Sequence, residues 1–175
     1  MEPVRFLLIK DPAQVRRLCV ARERDNMRFR AALKGGLCSE EELDERFHRL
    51  HTELAAQIDC TECAQCCSEF QTAVDEDEQL KMARKLGQTA EEFAAAHMEP
   101  ARLPTDLVVK APCPMLEGKR CAIYDQRPEE CRSYPHLHKP EMWSRLLGVV
   151  SNAETCPIVF NVVERLKHEL GWRSR

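Results

Sequence analysis

A chain of 175 residues with 43% hydrophobic and 31% charged residues can bury a core of its own, as one domain with or without a helical extension. Its formal net charge of −3 shows none of the basic excess expected for nucleic-acid binding, no stretch approaches a membrane span, and the apolar run Phe6 to Ile9 is too short for a signal-peptide core. The expectation is a cytoplasmic protein with neither nucleic acid nor membrane as partner, in which ten cysteines point to metal or redox chemistry rather than to a secreted disulfide framework.

Asp11-Pro12 pairs an N-cap carboxylate with a proline suited to the first helical turn, and predicts a helix that runs to Gly35-Gly36. Its apolar stripe, Val15, Leu18, Cys19, Phe29 and Leu33, is weak, so the helix should cover a surface, with Cys19 acting as a small buried hydrophobe. Ser39 with Glu42 reads as a capping box, and Leu43, Phe47, Leu50, Leu54 and Ile58 then recur on one helical face that is expected to run straight into Cys60. His48 and His51 share a face of this helix, but no further histidine or carboxylate pattern converges on them.

Asp75 with Glu78, and Thr89 with Glu92, start two more helices, which carry Leu80, Ala83 and Leu86, and then Phe93, with Gly87 between them. The acidic run Asp75 to Glu78 is explained by the helix dipole and needs no hard cation. From Pro100 to Pro140 the chain is rich in proline and reads as loops with a tight turn at Glu117-Gly118-Lys119; such a segment is better held by cross-links than by packing. Cys156-Pro157 opens a last helix whose Ile158, Val159, Val162, Val163, Leu166 and Leu170 form an apolar face stopped by Gly171.

The expected fold is therefore mainly α: a small helical domain with an irregular, metal-stapled loop region and at most a short β-hairpin near 113–124. Residues 1–58 read as a charged helical extension, 59–158 as a cysteine-cluster metal-binding domain, and 157–171 as a C-terminal helix packing on it.

The cysteine pattern carries the chemistry. Cys60-x2-Cys63-x2-Cys66-Cys67 is joined downstream by Cys113, Cys121, Cys131 and Cys156, eight thiols that divide into two tetrathiolate sites or supply one iron–sulfur cluster with ligands to spare. Cys19 and Cys38 lie outside this pattern. If 60–67 is helical, Cys60, Cys63 and Cys67 share a face, while adjacent Cys66 and Cys67 are expected to point their sulfurs apart and serve different metal atoms. Cys60, Cys63 and Cys66 also match part of a ferredoxin-like run that ends in Cys-Pro, supplied by either Cys156-Pro157 or Cys113-Pro114. Spacing alone leaves zinc, iron and a 4Fe-4S cluster all open. His136 and His138 flank the framework in surface or supporting roles, and Arg127 and Arg132 either stabilise thiolates or pair with Glu129 and Glu130.

The run from Cys60 to Cys67, followed by Cys113-Pro114-Met115-Leu116, Gly118, Cys121-Ala122-Ile123-Tyr124, Arg127-Pro128, Cys131-Arg132-Ser133-Tyr134-Pro135 and Cys156-Pro157, resembles the YkgJ-type CxxCxxCC family of zinc- or iron-chelating domains. The resemblance covers more than half of the chain and leaves residues 1–55 outside it. It implies that Cys60, Cys63, Cys66, Cys67, Cys113, Cys121, Cys131 and Cys156 are metal ligands. It also raises an enzymatic option, because the family takes in flagellin lysine N-methylases. The chain shows neither a glycine-rich nucleotide loop nor the C-x3-C-x2-C spacing of radical enzymes that cleave the methyl donor. The leading expectation is a cytoplasmic metal-binding protein whose metal organises the fold. The alternatives are a metalloenzyme acting on protein side chains or in redox chemistry, and an adaptor whose residues 1–55 engage a protein partner.

Overall fold

The structure is a computed structural model that describes residues 7–101 and 107–174. The part of the early apolar run at Phe6, and residues 102–106 of the proline-rich stretch, lie outside the described residues. Among the described residues the α-helices are α1 (Pro12–Ala21), α2 (Glu23–Lys34), α3 (Glu40–Ala55), α4 (Gln65–Glu69), α5 (Glu76–Leu86), α6 (Ala90–His97), α7 (Glu129–Ser133), α8 (Met142–Asn152) and α9 (Pro157–Glu169). Five short strands accompany them: β1 (Thr72–Ala73), β2 (Met98–Pro100), β3 (Leu107–Val109), β4 (Leu116–Glu117) and β5 (Arg120–Cys121). The protein is thus mainly α with two small sheets. No single described helix is long and apolar enough to cross a membrane.

Contacts divide the chain into two units, one made of residues 1–59 with 135–175 and one of residues 60–134. In the first, α9 packs on α3, α8 and α1. The sequence predicts one apolar face for α9, but every residue from Pro157 to Val163 is buried, Asn161 included, which makes α9 the central helix of its unit. Asn161 is tolerated there because its amide is fully engaged. Its Nδ2 donates to the carbonyls of Ile9 and Pro157, both at 2.7 Å, and its Oδ1 accepts from the Ile9 N–H at 3.0 Å.

The predicted stripe is realised on α3 by Leu43, Phe47, Leu50 and Leu54, all buried, while Ile58, also buried, lies beyond the helix end. Its Ser39 cap is half of the predicted box: the Ser39 hydroxyl accepts from the Glu42 N–H at 3.1 Å, while the Glu42 carboxylate is drawn away to Arg46 at 2.6 Å. The single helix predicted from Asp11 to Gly35 is instead two helices. The break falls at Arg22, whose N–H is shared between the Leu18 and Cys19 carbonyls and whose guanidinium pairs with Glu164 on α9.

Charges join the helices of this unit. Lys167 of α9 is buried, and its three ammonium hydrogens face three acceptors: Asp25 at 3.0 Å, Glu164 at 2.8 Å and the Asn26 amide oxygen. Glu169 meets Arg46, Arg49 and Arg165; burial opposes its charge, but the hydrogen bonds and charges of Arg49 and Arg165 hold its carboxyl below the usual range.

Helix α8 was not evident from the sequence, and its start shows why. No local side chain caps it, and Glu141 at the N-cap has a left-handed φ of 60°. The cap comes from Asp44 on α3, whose two carboxylate oxygens accept the N–H groups of Glu141 and Met142 at 2.9 and 2.8 Å.

In the second unit both predicted capping boxes are complete, Asp75 with Glu78 and Thr89 with Glu92. Gly87 ends α5 in the left-handed conformation at φ 69°, and Gly171 does the same after α9 at φ 63°, where a residue with a Cβ would be strained. Glu78 also reaches beyond its own helix: its second carboxylate oxygen accepts the Glu129 N–H at 2.7 Å and so caps α7, which lacks a local cap. The predicted turn at Gly118-Lys119 joins β4 to β5 in register Leu116↔Cys121. A three-stranded antiparallel sheet, ordered β1-β3-β2, adds to the predicted hairpin. It escaped sequence reading because strands of two or three residues are too short to show alternation. The unit's core is Met82, Ala83, Phe93, Met98, Val109 and Met115, and Cys113 and Cys121 pack against it.

Replacing Asp44 by alanine should destabilise the protein by about 1–2 kcal/mol through loss of the α8 cap, whereas Glu45→Ala on the exposed face of α3 should stay within about 0.5 kcal/mol. Urea denaturation of the two variants checks this, and equal effects would remove the special role of Asp44.

Candidate metal centre

The thiols of the second unit are placed by a succession of short turns. Helix α3 ends at Ala55, its last turn closed by the Gln57 and Ile58 N–H groups on the Leu54 and Ala55 carbonyls, and so stops short of Cys60. Residues Cys60–Glu62 form a single 3-10 turn, Ala64 is left-handed at φ 57°, and α4 begins at Gln65. The helix expected to run straight into Cys60 therefore ends earlier, and because 60–67 is not one helix the condition under which Cys60, Cys63 and Cys67 would share a face is not met. The left-handed step at Ala64 breaks the periodicity on which that expectation rested.

Cys66 and Cys67 lie side by side within α4. A hydrogen bond from the Cys66 thiol acts on Cys67. That bond, helped by Cys67's own backbone N–H and opposed by burial, brings the Cys67 thiol down to about 7.

The partners of Cys67 arrive from three segments. Cys113, just after the cis peptide Ala111-Pro112, donates its N–H to the Cys67 carbonyl at 2.8 Å. Cys121 ends the β4–β5 hairpin, and β5 packs against the 3-10 turn that holds Cys60. Cys131 rides on α7, which packs on β1, and its sulfur meets the Thr72 hydroxyl at 4.0 Å. Cys63, Cys113, Cys121 and Cys131 all lie within electrostatic reach of Cys67. These four and the vicinal pair are half-buried, while Cys60 is exposed.

Burial and mutual proximity act together on this group. Burial is the first cause that pushes the Cys113 and Cys131 thiols up to about 11, and neighbouring cysteine charge adds to it in both cases. Burial likewise raises Cys63 and Cys121, and the charge of Cys67 adds to it.

Opposing this, the backbone is aimed at sulfur three times in the same way. The N–H groups of Gln65, Met115 and Ile123 each bond the thiol two residues earlier, that of Cys63, Cys113 and Cys121. Lys119 in the hairpin turn favours charge on Cys63, and Arg127 favours charge on Cys121.

This donor set suits a thiophilic cation. It offers soft sulfur ligands, backbone donors directed at three of them, and a shortage of positive charge where several thiolates would have to coexist. Among the described residues, however, no three Cys, His, Asp or Glu side chains stand close enough to hold one ion. The thiols converge without forming a closed coordination shell, and an ion would have to draw the sulfurs inward.

The other predicted candidates separate clearly. Cys156 lies in the first unit, buried at the N-cap of α9. Cys19 is buried as expected, and the Asn26 amide donates to its sulfur at 3.5 Å. His51 stacks on His138 with ring centroids 5.9 Å apart, and its pKa is lowered by burial first and then by His138 and His48. Arg132 takes the plain ion-pair role with Glu129 at 3.0 Å, whereas Arg127 lies over the Tyr124 ring at 3.9 Å and acts on Cys121. Thr72 and Lys119 were missed. Lys119 could have been found from its place in a turn between two cysteines, but nothing local marks Thr72.

The family model CxxCxxCC, whose description is a proposed zinc- or iron-chelating domain, matches residues 59–157, more than half of the chain. The chain belongs to the CxxCxxCC family. No curated protein and no solved structure matches it. The matched span includes all seven cysteines of the second unit and extends to Cys156.

In reduced, metal-free protein at pH 7, iodoacetamide should label Cys67 ahead of Cys113 and Cys131. Its thiol is half ionised near pH 7, so the rate should fall about tenfold for each pH unit below that. Peptide mass mapping of a time course checks the order, and uniform labelling across the cluster would contradict it.

Proposed function

We propose that this member of the CxxCxxCC family is a cytoplasmic metal-binding protein that holds zinc or iron, the latter as single ions or as a 4Fe-4S cluster, through the thiols of residues 60–134. The observation that carries this reading is the convergence of Cys63, Cys66, Cys113, Cys121 and Cys131 on Cys67. Cys60 stands against the strand that ends in Cys121 and joins the set. Cys156 is an eighth candidate carried by the family pattern.

The metal's main role here is to organise the fold. Residues 110–134 contain two-residue strands, a five-residue helix and single turns, and elements so short gain little from their own hydrogen-bond ladders. A metal bound by thiolates from α4, the 113 loop, the hairpin and α7 would tie four such pieces together, and its binding free energy would become folding free energy. The same cation would offset the burial and the neighbouring cysteine charge that hold Cys113 and Cys131 in their protonated forms.

Anaerobic purification followed by elemental analysis and a visible spectrum tests the proposal. Bound zinc gives a colourless protein, and an iron–sulfur cluster a coloured one. Removal of the metal with a chelator should expose residues 110–134 to proteolysis, and replacing the metal should restore protection. A metal-free protein that is fully protected would sink the idea.

A further inference from the structure

We propose that the exposed arginine face of α1 and α2 docks an acidic segment of a partner protein, one that carries apolar side chains among its carboxylates. The inference stands apart from the metal reading, because this face lies outside the span 59–157 that matches the family.

Charge is unevenly placed along the chain. Residues 10–34 hold eight Lys and Arg against three Asp and Glu, whereas residues 35–175 hold seventeen against twenty-five. Two of those three acids are engaged within the first unit. Asp11 accepts the Ala13 N–H at 2.8 Å to cap α1, and Asp25 accepts from Lys167 at 3.0 Å and from Trp172 Nε1 at 3.1 Å. The third, Glu23, is exposed at the start of α2 and flanks the arginine face.

The fold sorts the two helices into a buried face and an exposed one. Val15 and Cys19 of α1 and Asn26, Phe29 and Leu33 of α2 are buried, where α1 packs on α9 and α2 on α8. On the other side Arg16, Arg17, Val20, Arg24, Met27 and Arg28 are exposed, Val20 by 57% and Met27 by 40%. Val20 is three and four residues from Arg17 and Arg16, and Met27 is three from Arg24, so each apolar side chain stands beside guanidinium groups on one helical face.

This arrangement works against the isolated chain. Arg24 and Arg28 are like charges one turn apart, and Arg24 stands in the first turn of α2, where the helix dipole disfavours a cation and Glu23 offsets it only in part. An anionic partner reverses both effects. Carboxylates suit the planar guanidinium fork, and apolar side chains beside them would cover Val20 and Met27. Two apolar residues are too few to seat these helices in a bilayer, and the acidic remainder of the chain repels a polyanion such as nucleic acid.

The test uses the full-length reduced protein and a fluorescein-labelled helical peptide with Glu and Leu on one face, followed by fluorescence anisotropy. Binding should saturate, weaken between about 0.05 and about 0.5 M salt, and fall about tenfold in Arg17→Glu/Arg24→Glu. Val20→Ser/Met27→Ser should weaken it and keep the salt dependence. Lys81→Glu/Lys85→Glu, which reverses two exposed charges on α5, should bind as the unaltered protein does.

Lack of saturable binding, or an equal loss in the α5 variant, would overturn the proposal. So would tighter binding to phosphatidylserine vesicles or to duplex DNA, which would give the face to a membrane or to nucleic acid. Salt-sensitive dimers abolished by Arg17→Glu/Arg24→Glu would overturn it in favour of a second copy of this chain. Should the charge reversal alter the circular dichroism, Arg17→Gln/Arg24→Gln keeps the test, with a smaller loss of binding expected and no loss overturning the proposal.

Discussion

Thiols that share a half-buried space resist losing their protons together, and the second unit of this chain gathers five of them around Cys67. Burial first, and then the charge of neighbouring cysteines, push Cys113 and Cys131 to about 11, while Cys67, given a hydrogen bond by Cys66, falls to about 7. The surrounding backbone is arranged for the opposite outcome. Three N–H groups point at sulfur, and Lys119 and Arg127 add positive charge at the edge. An environment that favours thiolates locally and forbids them collectively is satisfied by a bound cation.

The segments that carry these thiols have little else to hold them. Strands β4 and β5 have two residues each and α7 has five, so none is stable alone. What anchors them is the small core of Met82, Phe93, Met98, Val109 and Met115, together with one acidic side chain used twice. Glu78 completes the capping box of its own helix with one oxygen and caps α7 with the other, so the helix that carries Cys131 is tied to α5. Asp44 plays the corresponding part in the first unit, where both its oxygens serve the start of α8. Uncapped helix starts leave several N–H groups without partners, and a carboxylate fixed on a neighbouring helix satisfies them as well as a local one does.

The first unit relies on a different device. Its central helix α9 is buried along its first two turns, yet Lys167 farther along is buried as well, its ammonium saturated by Asp25, Asn26 and Glu164. Such a group adds little net stability compared with an apolar residue of the same volume, because its desolvation offsets the attraction. Its geometry favours one register of α2 on α9, since any other would leave the buried ammonium with only Glu164 of its own helix as acceptor.

Much of this was legible in the sequence, because the signals are local. Capping residues, the stripe on α3, the glycines after α5 and α9, the turn at Gly118 and the cysteine spacing each depend on residues within a few positions of one another. The break at Arg22, the start of α8 and the pairing of β1 with β3 were not legible, since they involve Glu164, Asp44 and residues tens of positions apart. The site divides in the same way. By itself the sequence determined that the chain carries a thiol framework of the CxxCxxCC type, because ligand identity and spacing are properties of the chain. Only the tertiary structure decided which thiols crowd one another and that Cys67 stands among them. A left-handed turn at Ala64, a hairpin and a remotely capped helix set those distances, and no window of sequence contains them.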